Sequence, residues 1–416
     1  MERQDLKHKA KAYHKATSLI LKKQGIDIQQ AKLVRATPAA RNITLDYRFS
    51  INDLERILRM GDQIAYGIGL KNVIVQRYFG NVRVEYLLPR QQWEFYKKTD
   101  MPTNLTIGLA SGKEPVVFDL SEETPHSLFA GTTGSGKTEA IKTGLVGLLK
   151  EYRPEELGIG VVDVMGKYKD FHNSAHLIQP IAQKPEDISD LINMFYNEMN
   201  DRKNGGDRDK KLLLVLDEAN DPTILGDKLS INRTNLAKIS NLARQARNVG
   251  IHLAIGTQSP YRADLPGVLQ LLNNRWVGYV DNAQMSAQAT GHPGLNAEKL
   301  TKVGDFLHVI NGNAQRFQVS LTTNGDYNVL KRGQVDKITT TPLFIAQEPK
   351  VGRPEIEIDY KLLARYLLQL EKGAISRNQA KVLWDVTRTK HERHNSLAVE
   401  LYNNILELGG KVCHEV

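Results

Sequence analysis

Residues Ala130-Gly131-Thr132-Thr133-Gly134-Ser135-Gly136-Lys137-Thr138 decide the fold. The apolar run Ser127-Leu128-Phe129 before them reads as a buried strand, and Glu139 to Tyr152 after them carries Ile141, Leu145, Leu148 and Leu149 at helical spacing. Strand, glycine turn and helix is the setting that the pattern G-x-x-x-x-G-K-[ST] requires. In that setting loop amides and a helix N-terminus cradle phosphates, the lysine reaches the β/γ-phosphates and the hydroxyl ligates Mg²⁺. The expected phosphate-binding residues are Gly131, Thr132, Thr133, Gly134, Ser135, Gly136, Lys137, Thr138 and Glu139, with Thr138 also a metal ligand.

A nucleotide site of this kind needs acids at the end of a second strand. The most apolar run in the chain, Leu212-Leu213-Leu214-Val215-Leu216, ends in Asp217-Glu218. Asp217 would hold the Mg²⁺ shell and Glu218 would polarise the attacking water; the plainer reading is a strand end before the turn Asn220-Asp221-Pro222. A third strand, Ile251 to Thr257, presents Gln258 where P-loop motors place a polar sensor beside the γ-phosphate. Between these, Gly158–Val162 reads as a strand, Pro185–Arg202 as a helix, and Asn235–Val249 as a helix ending in Arg247. Leu265–Leu272 reads as a short helix, Arg275–Val280 as a strand, and Asp305–Asn311 with Arg316–Leu321 as a closing hairpin. Alternating strands and helices predict a mostly parallel, covered sheet.

Composition limits what such a site serves. The 416 residues suffice for about two to four domains, and 41% hydrophobic with 25% charged residues is the balance of a water-soluble protein. No apolar run nears the roughly 18 residues of a membrane span, and Met1-Glu2-Arg3-Gln4-Asp5 lacks a signal peptide's apolar core, so a cytoplasmic location is expected. The single cysteine, Cys413, excludes an internal disulfide and a cysteine-based zinc site, leaving Mg²⁺ to arrive with ATP. A net charge of +9 favours a polyanionic partner.

Upstream, residues 1–32 read as a basic N-terminal helix over Met1–Gly25, whose lysines are either a DNA or partner contact or the solvated face of a packed terminal helix. Residues 33–104 read as a small α+β domain: strands at Ile43–Tyr47, Val73–Gln76 and Val82–Tyr86 around a helical pattern from Ile51 to Tyr66. The polar stretch Gln91–Asp100 reads as its connector to the segment 105–340.

The span from about Leu105 to Thr322 resembles the motor of the FtsK/SpoIIIE DNA translocases, within the FtsK–HerA group of RecA-like ring ATPases. The shared motifs run in order: Ile107-Gly108-Leu109, Pro125-His126, the phosphate loop, Glu198-Met199, Leu216-Asp217-Glu218, Arg247-Asn248-Val249-Gly250-Ile251-His252-Leu253, Thr257-Gln258-Ser259-Pro260, and Lys299-Leu300 before Gly304-Asp305-Phe306-Leu307. The resemblance implies an α/β chain with a RecA-like P-loop NTPase core, working as a homo-hexameric ring that couples ATP hydrolysis to movement of double-stranded DNA. It implies that Arg247 reaches the neighbouring subunit's γ-phosphate and that the segment after Gln258 touches the DNA backbone. Two motifs depart from the family: Ser259 stands where arginine is usual, with Arg262 close enough to substitute, and Asp163-Val164-Met165 replaces Asp-Pro-Lys, so no role is read for Asp163. The membrane-spanning half of the septal translocases has no counterpart here. Lys210, in the polar loop before the acid-bearing strand, joins Arg262 as a candidate DNA contact.

Pro342, Pro349 and Pro354 mark a linker over 341–358, and the helical patterns of 359–416 resemble the winged helix-turn-helix that ends the FtsK family, with Arg388, Lys390 and Arg393 as further DNA-contact candidates. A small helical domain for protein contact fits that tail too. For the whole, a conjugation or genome-packaging ATPase shares the chemistry, and a DNA-binding regulator using ATP as an assembly switch is the alternative of another class.

Overall fold

The computed structural model describes residues 3–26, 32–49, 51–78, 80–120, 125–221, 223–224 and 230–332. They belong to one compact unit, Met1–Lys337. The expected linker and winged-helix-like domain, with Arg388, Lys390 and Arg393, lie outside the described residues.

The front of the unit comprises α1 (Arg3–Lys23), β1 (Lys32–Pro38), β2 (Asn42–Arg48), α2 (Leu54–Leu58), α3 (Gly61–Ile68), β3 (Val73–Tyr78) and β4 (Asn81–Leu87). The strands form an antiparallel sheet of order β1-β2-β4-β3. Helix α1 lies on it: the Tyr13 ring stacks on Tyr86 at 4.7 Å, Thr17 Oγ1 is 2.6 Å from the Tyr86 hydroxyl, and Leu21 is buried. Lys11, Lys15, Lys22 and Lys23 are exposed, on the side of α1 away from the sheet. Strand β1 escaped the sequence reading because it is an edge strand whose residues are mostly exposed, which removes the hydrophobic alternation. The helix expected over Ile51–Tyr66 is broken instead into a 3₁₀ turn, α2 and α3. Gly61 opens α3 so close to the sheet that a Cβ there would lie 2.6 Å from the Val73 carbonyl oxygen.

The larger sheet is built from β5 (Thr106–Ala110), β6 (Pro115–Val117), β7 (His126–Ala130), β8 (Leu157–Val162), β9 (Lys211–Leu216), β10 (Ile251–Thr257), β11 (Asn274–Val277), β12 (Asp305–Ile310) and β13 (Asn313–Val319). Its order is β6-β5-β13-β12-β11-β7-β10-β9-β8. Only the half from β8 to β11 is parallel; the half from β11 to β6 is antiparallel, a correction to the mostly parallel sheet expected. Within it, β5–β6 and β12–β13 are sequential pairs joined by short links, as antiparallel neighbours allow. Five helices accompany this sheet: α4 (Lys137–Glu151), α5 (Pro185–Lys203), α6 (Ser230–Gln245), α7 (Ala283–Thr290) and α8 (Asn324–Arg332). Strand β9 shows how both faces are covered. Leu212, Leu214 and Leu216 join the core beneath α5, α6 and α7, whereas Leu213 and Val215 join the core beneath α4 and α8. Successive side chains point to opposite faces, so a strand buried on both sides has to be apolar throughout.

Two further expectations are corrected. Leu265–Leu272 holds only a 3₁₀ turn at Leu269–Leu271, because Pro266 and Gly267, at φ +75°, interrupt it and the Arg275 guanidinium takes the carbonyls of Leu269 at 3.0 Å and Leu272 at 2.8 Å. The helix expected to reach Val249 stops at Gln245, and Arg247–Val249 is a separate 3₁₀ turn. Helix α7 was missed, although Asn282, whose side chain accepts from the Met285 amide at 2.8 Å, and Gly291 mark its ends.

The two sheets are joined through Arg316. Its guanidinium donates to Glu85 Oε2 at 2.6 Å and to Asp305 Oδ2 and Oδ1 at 2.7 and 2.9 Å. Glu85, on β4, also accepts from Asn42 at 2.8 Å and Gln76 at 2.9 Å. Burial pushes the Asp305 carboxyl up, but Arg316, Arg41 and the hydrogen bonds together outweigh it and hold it below the usual carboxylate range. Arg316→Met should strand two buried carboxylates and cost about 3–5 kcal/mol, read as a lowered melting temperature. A depressed carboxylate contributes fully above its unfolded pKa of about 3.9 and loses that contribution as pH falls through the lower folded value. The gap between wild type and Arg316→Met should therefore narrow as the protein is acidified.

Candidate active site

Strand β7 delivers the phosphate loop to the carboxyl edge of the parallel strands, and α4 starts on its last two residues. Gly136 caps α4 at φ +97°, a conformation that favours glycine, and a Cβ there would lie 3.0 Å from the Gly304 nitrogen. Lys137 is buried, its ammonium 2.8 Å from Asp217 Oδ1 and 3.1 Å from Glu218 Oε2. Thr138 Oγ1 donates to Asp217 Oδ2 at 2.8 Å. The acids from the end of β9 thus meet the loop from the end of β7, although β10 lies between the two strands.

That meeting requires β10 to present nothing at the crossing. Gly256 is the residue there: a Cβ on it would lie 2.5 Å from Asp217 Oδ1 and 3.0 Å from Ile141 Cδ1. Burial pushes the Asp217 carboxyl up, but the Lys137 charge and the hydrogen bonds from Lys137 and Thr138 outweigh it, so the carboxyl sits below its ordinary value. The fully buried Tyr168 hydroxyl is pushed well up, by burial first and by Asp217 second, and donates to Asp217 Oδ2 at 3.3 Å.

Glu218 follows with a left-handed backbone, φ +57°, uncommon for this residue type. The turn sends its carboxylate back toward the loop, where Oε1 accepts from Gln258 Nε2 at 2.7 Å and lies 3.2 Å from Lys167 Nζ. Gln258 in turn accepts from Thr133 Oγ1 at 2.6 Å. The expected group Lys137, Thr138, Asp217, Glu218 and Gln258 is therefore one connected network. Lys167, Tyr168 and Gly256 were not anticipated. The only sequence signal for the first two is the loop after β8, where Asp163 Oδ2 accepts from the Tyr168 amide at 2.7 Å and fixes the turn that carries them.

The donor set fits a nucleotide with its divalent cation. Ser135 Oγ is buried without a hydrogen-bond partner among the described residues, a donor available to a phosphate oxygen. Thr138 and Asp217 offer the hard oxygen ligands that Mg²⁺ takes alongside phosphates and water. Glu139, by contrast, is mostly exposed and pairs with Lys142 at 3.5 Å, away from the acids.

The remaining candidates lie apart from this network. Arg247 precedes β10 while Gln258 follows it, so the strand's seven residues separate them by roughly 20 Å. Its side chain is exposed and makes no hydrogen bond or ion pair among the described residues. The turn it sits on is braced by buried Arg202, which donates to the Val249 carbonyl at 2.8 Å and to Glu198 Oε1 at 2.7 Å. Lys210 is half-buried at the start of β9, and that burial lowers its pKa. Arg262 is exposed and lines, with Arg275, Asn273, His292 and Asn311, a polar cavity of about 560 Å³ at the amino end of β11. Ser259, where the family carries arginine, spends its hydroxyl on Asp264 at 2.5 Å.

The fold and this network define a P-loop nucleotide-binding domain with its acids one strand removed from the phosphate loop. The FtsK/SpoIIIE family model matches residues 86–210, so this part of the chain is similar to that family. Among similar proteins, the DNA translocase FtsK of Clostridium tetani is 25% identical over 326 residues, covering 70% of this chain and 43% of the relative. The DNA translocase SftA of Bacillus subtilis is 26% identical over 278 residues, covering 61% of this chain and 28% of the relative. The chain thus spans less than half the length of either. Among solved structures, the pCW3 conjugation coupling protein TcpA with ATPγS aligns at TM-score 0.50 and 17% identity, over 77% of this chain and 99% of that one. No helix among the described residues is long and apolar enough to cross a membrane.

Gly256→Ala should push Asp217 off Lys137 and Thr138. We expect Mg²⁺-dependent nucleotide affinity to fall about tenfold or more, a loss of at least 1.4 kcal/mol, while Mg²⁺-free binding, which rests on the loop, falls less. Titration of a fluorescent ATP analogue with and without Mg²⁺ measures the difference.

Proposed function

We propose that this chain is an ATP-driven motor for double-stranded DNA that works as a ring of identical subunits, most simply a hexamer, in the cytoplasm. The carrying observation is the convergence of Lys137, Thr138, Asp217, Glu218 and Gln258 on one edge of the sheet. In this reading the loop residues 131–138 and Lys137 hold the phosphates, and Thr138 and Asp217 hold Mg²⁺, which when bound neutralises charge on the phosphate oxygens. Glu218 orients and deprotonates the attacking water. Gln258, tied to both Glu218 and Thr133, links the reacting end of the nucleotide to the loop that follows β10. Without a nucleotide Lys137 is shared between two carboxylates, so arriving phosphates compete with Glu218 for it and free that carboxylate to turn toward water.

The ring rests on Arg247. An unpaired guanidinium roughly 20 Å from its own phosphate loop is placed to act on a neighbour, where it stabilises charge developing on the γ-phosphate. The positive charge of +9 supports a phosphate-backbone partner that is read without regard to sequence. Arg262 and Lys210, both on the edge away from the phosphate loop, are the DNA-contact candidates within the motor; Arg388, Lys390 and Arg393 are those of the tail. The working division is a basic helix at 1–32, a small domain at 33–104, the motor at 105–340, a linker at 341–358 and a winged-helix-like domain at 359–416. A conjugation-type coupling motor would share this chemistry and differ in partners.

Linear duplex DNA should stimulate ATP turnover, and the protein should displace a triplex-forming strand; turnover indifferent to DNA would defeat the motor reading in favour of an assembly switch. Glu218→Gln should keep nucleotide and Mg²⁺ bound while slowing hydrolysis about 10²-fold or more. Loss of nucleotide affinity in that variant would remove Glu218 from the hydrolytic role.

Lys137→Ala and Arg247→Ala should each be inactive alone. Mixed under conditions where subunit exchange is demonstrated, they should regain part of the ATPase activity, because some interfaces pair an intact Lys137 with a neighbour's intact Arg247. Silence at every ratio would mean that Arg247 acts within its own chain.

A further inference from the structure

The backbone of the phosphate loop is held from outside the loop. The Val303 amide donates to the Gly134 carbonyl at 3.3 Å, and the Gly304 amide donates to the Ser135 carbonyl at 2.8 Å. These two donors sit at the end of a turn, residues 300–304, that leads into β12. Val303 adopts φ +69° there, a conformation that a β-branched side chain disfavours, so something else must hold the turn.

At its start Asp305 Oδ2 accepts from the Thr301 amide and hydroxyl at 2.7 and 2.6 Å; what holds its end comes from the front sheet. Arg41, between β1 and β2, donates to Thr301 Oγ1 at 2.5 Å, to the Lys302 carbonyl at 2.7 Å, and to the Val303 carbonyl. Its guanidinium is fixed by the rings of Trp93, at 4.7 Å, and Phe95, at 5.4 Å. Asn72, at the start of β3, donates to the Lys299 carbonyl at 2.6 Å. The end of the turn therefore gives the carbonyls of Lys302 and Val303 to the front sheet and the amides of Val303 and Gly304 to the phosphate loop.

We infer that Arg41 is a positioning residue for the nucleotide site: through the 300–304 turn it sets the backbone of Gly134 and Ser135, and any displacement of the front sheet is transmitted to the phosphate loop. The inference rests on the reading of that loop as an ATP site. A carbonyl pulled by an amide donor cannot rotate, and the neighbouring amides that face phosphate are fixed with it. Withdrawal of Arg41 frees the turn to leave its disfavoured backbone, and the two amides leave the loop with it. The front sheet thus becomes a part of the motor that senses or sets nucleotide affinity, without touching nucleotide.

The test uses the full chain with Arg41→Ala, Arg41→Lys and, as a control on the same seam, Thr44→Val, which removes the 2.9 Å contact between Thr44 and Ser111 without touching the turn. Binding of a fluorescent ATP analogue, KM and kcat for ATP, and amide exchange of segments 300–306 and 131–138 are measured together. Arg41→Ala should raise Kd and KM about tenfold, the scale of one lost charge-assisted hydrogen bond, with kcat changed less than about twofold. Exchange should accelerate in both segments, and Arg41→Lys should recover part of each effect. Thr44→Val should leave all of them at wild-type values. Unchanged affinity in Arg41→Ala, a loosened 300–306 with an unaltered 131–138, or an equal effect from Thr44→Val would each overturn the inference. Should Arg41→Ala fail to fold, Asn72→Ala gives the graded version, and an absence of effect there overturns it as well. A wild-type chain that binds no nucleotide would instead defeat the ATP reading, and the exchange of 131–138 would still decide the role of Arg41.

Discussion

The contact between the Lys137 ammonium and the Asp217 carboxylate is the constraint on which the rest of this structure depends. It joins the ends of two strands that are not neighbours, and it does so across β10 in a place with no room for a side chain. A buried ion pair is favourable only when its remaining donors and acceptors are met. Here the hydroxyls of Thr138 and Tyr168 both donate to the other carboxylate oxygen, Asp217 Oδ2. The order of the parallel strands, the glycine at 256 and the burial of Tyr168 are all consequences of bringing that one pair together.

The same strand order divides labour between the two edges of the sheet. The network of Lys137, Thr138, Asp217, Glu218 and Gln258 lies at the carboxyl edge, where the parallel strands end. At the amino edge stand Arg247, Lys210 and the polar cavity that Arg262 lines. A rigid sheet keeps the edges a fixed distance apart, which is why Arg247 is proposed to serve the site of a neighbouring copy. Arg202 stiffens the turn that presents Arg247, and the hydrogen bond between Gln258 and Glu218 ties the reacting edge to the segment that returns to the amino edge.

The front sheet is part of this arrangement rather than a neighbour of it. Its seam with the motor is polar: Arg316 reaches Glu85 and Asp305, Arg41 reaches the 300–304 turn, and Asn72 reaches Lys299. The connector expected at Gln91–Asp100 is correspondingly not a free tether. Lys98 is buried in it, donating to the carbonyls of Asn104 and Thr106, and burial lowers its pKa to about 8.

The phosphate loop, the paired acids and Gln258 could be read from the sequence because each is local: a glycine turn or an apolar strand that stops at a polar residue carries its own signature. Elements whose conformation is set by distant partners could not be read. The helix expected at Leu265–Leu272 yields its carbonyls to Arg275, the pattern from Ile51 to Tyr66 breaks where Gly61 meets Val73, and β1 has no alternation because it is an edge strand whose residues are mostly exposed. Lys167 and Tyr168 look like ordinary loop residues until Asp163 folds the turn that carries them to the acids. By itself, then, the sequence determined the chemistry of the site, since catalytic groups are fixed by residue type and short spacing. Only the tertiary structure decided which strand stands between the lysine and its acid, which edge Arg247 faces, and that Arg41 reaches the phosphate loop through a turn some 260 residues away. Those relations belong to strand order and to contacts between segments remote in the chain, and no local pattern records them.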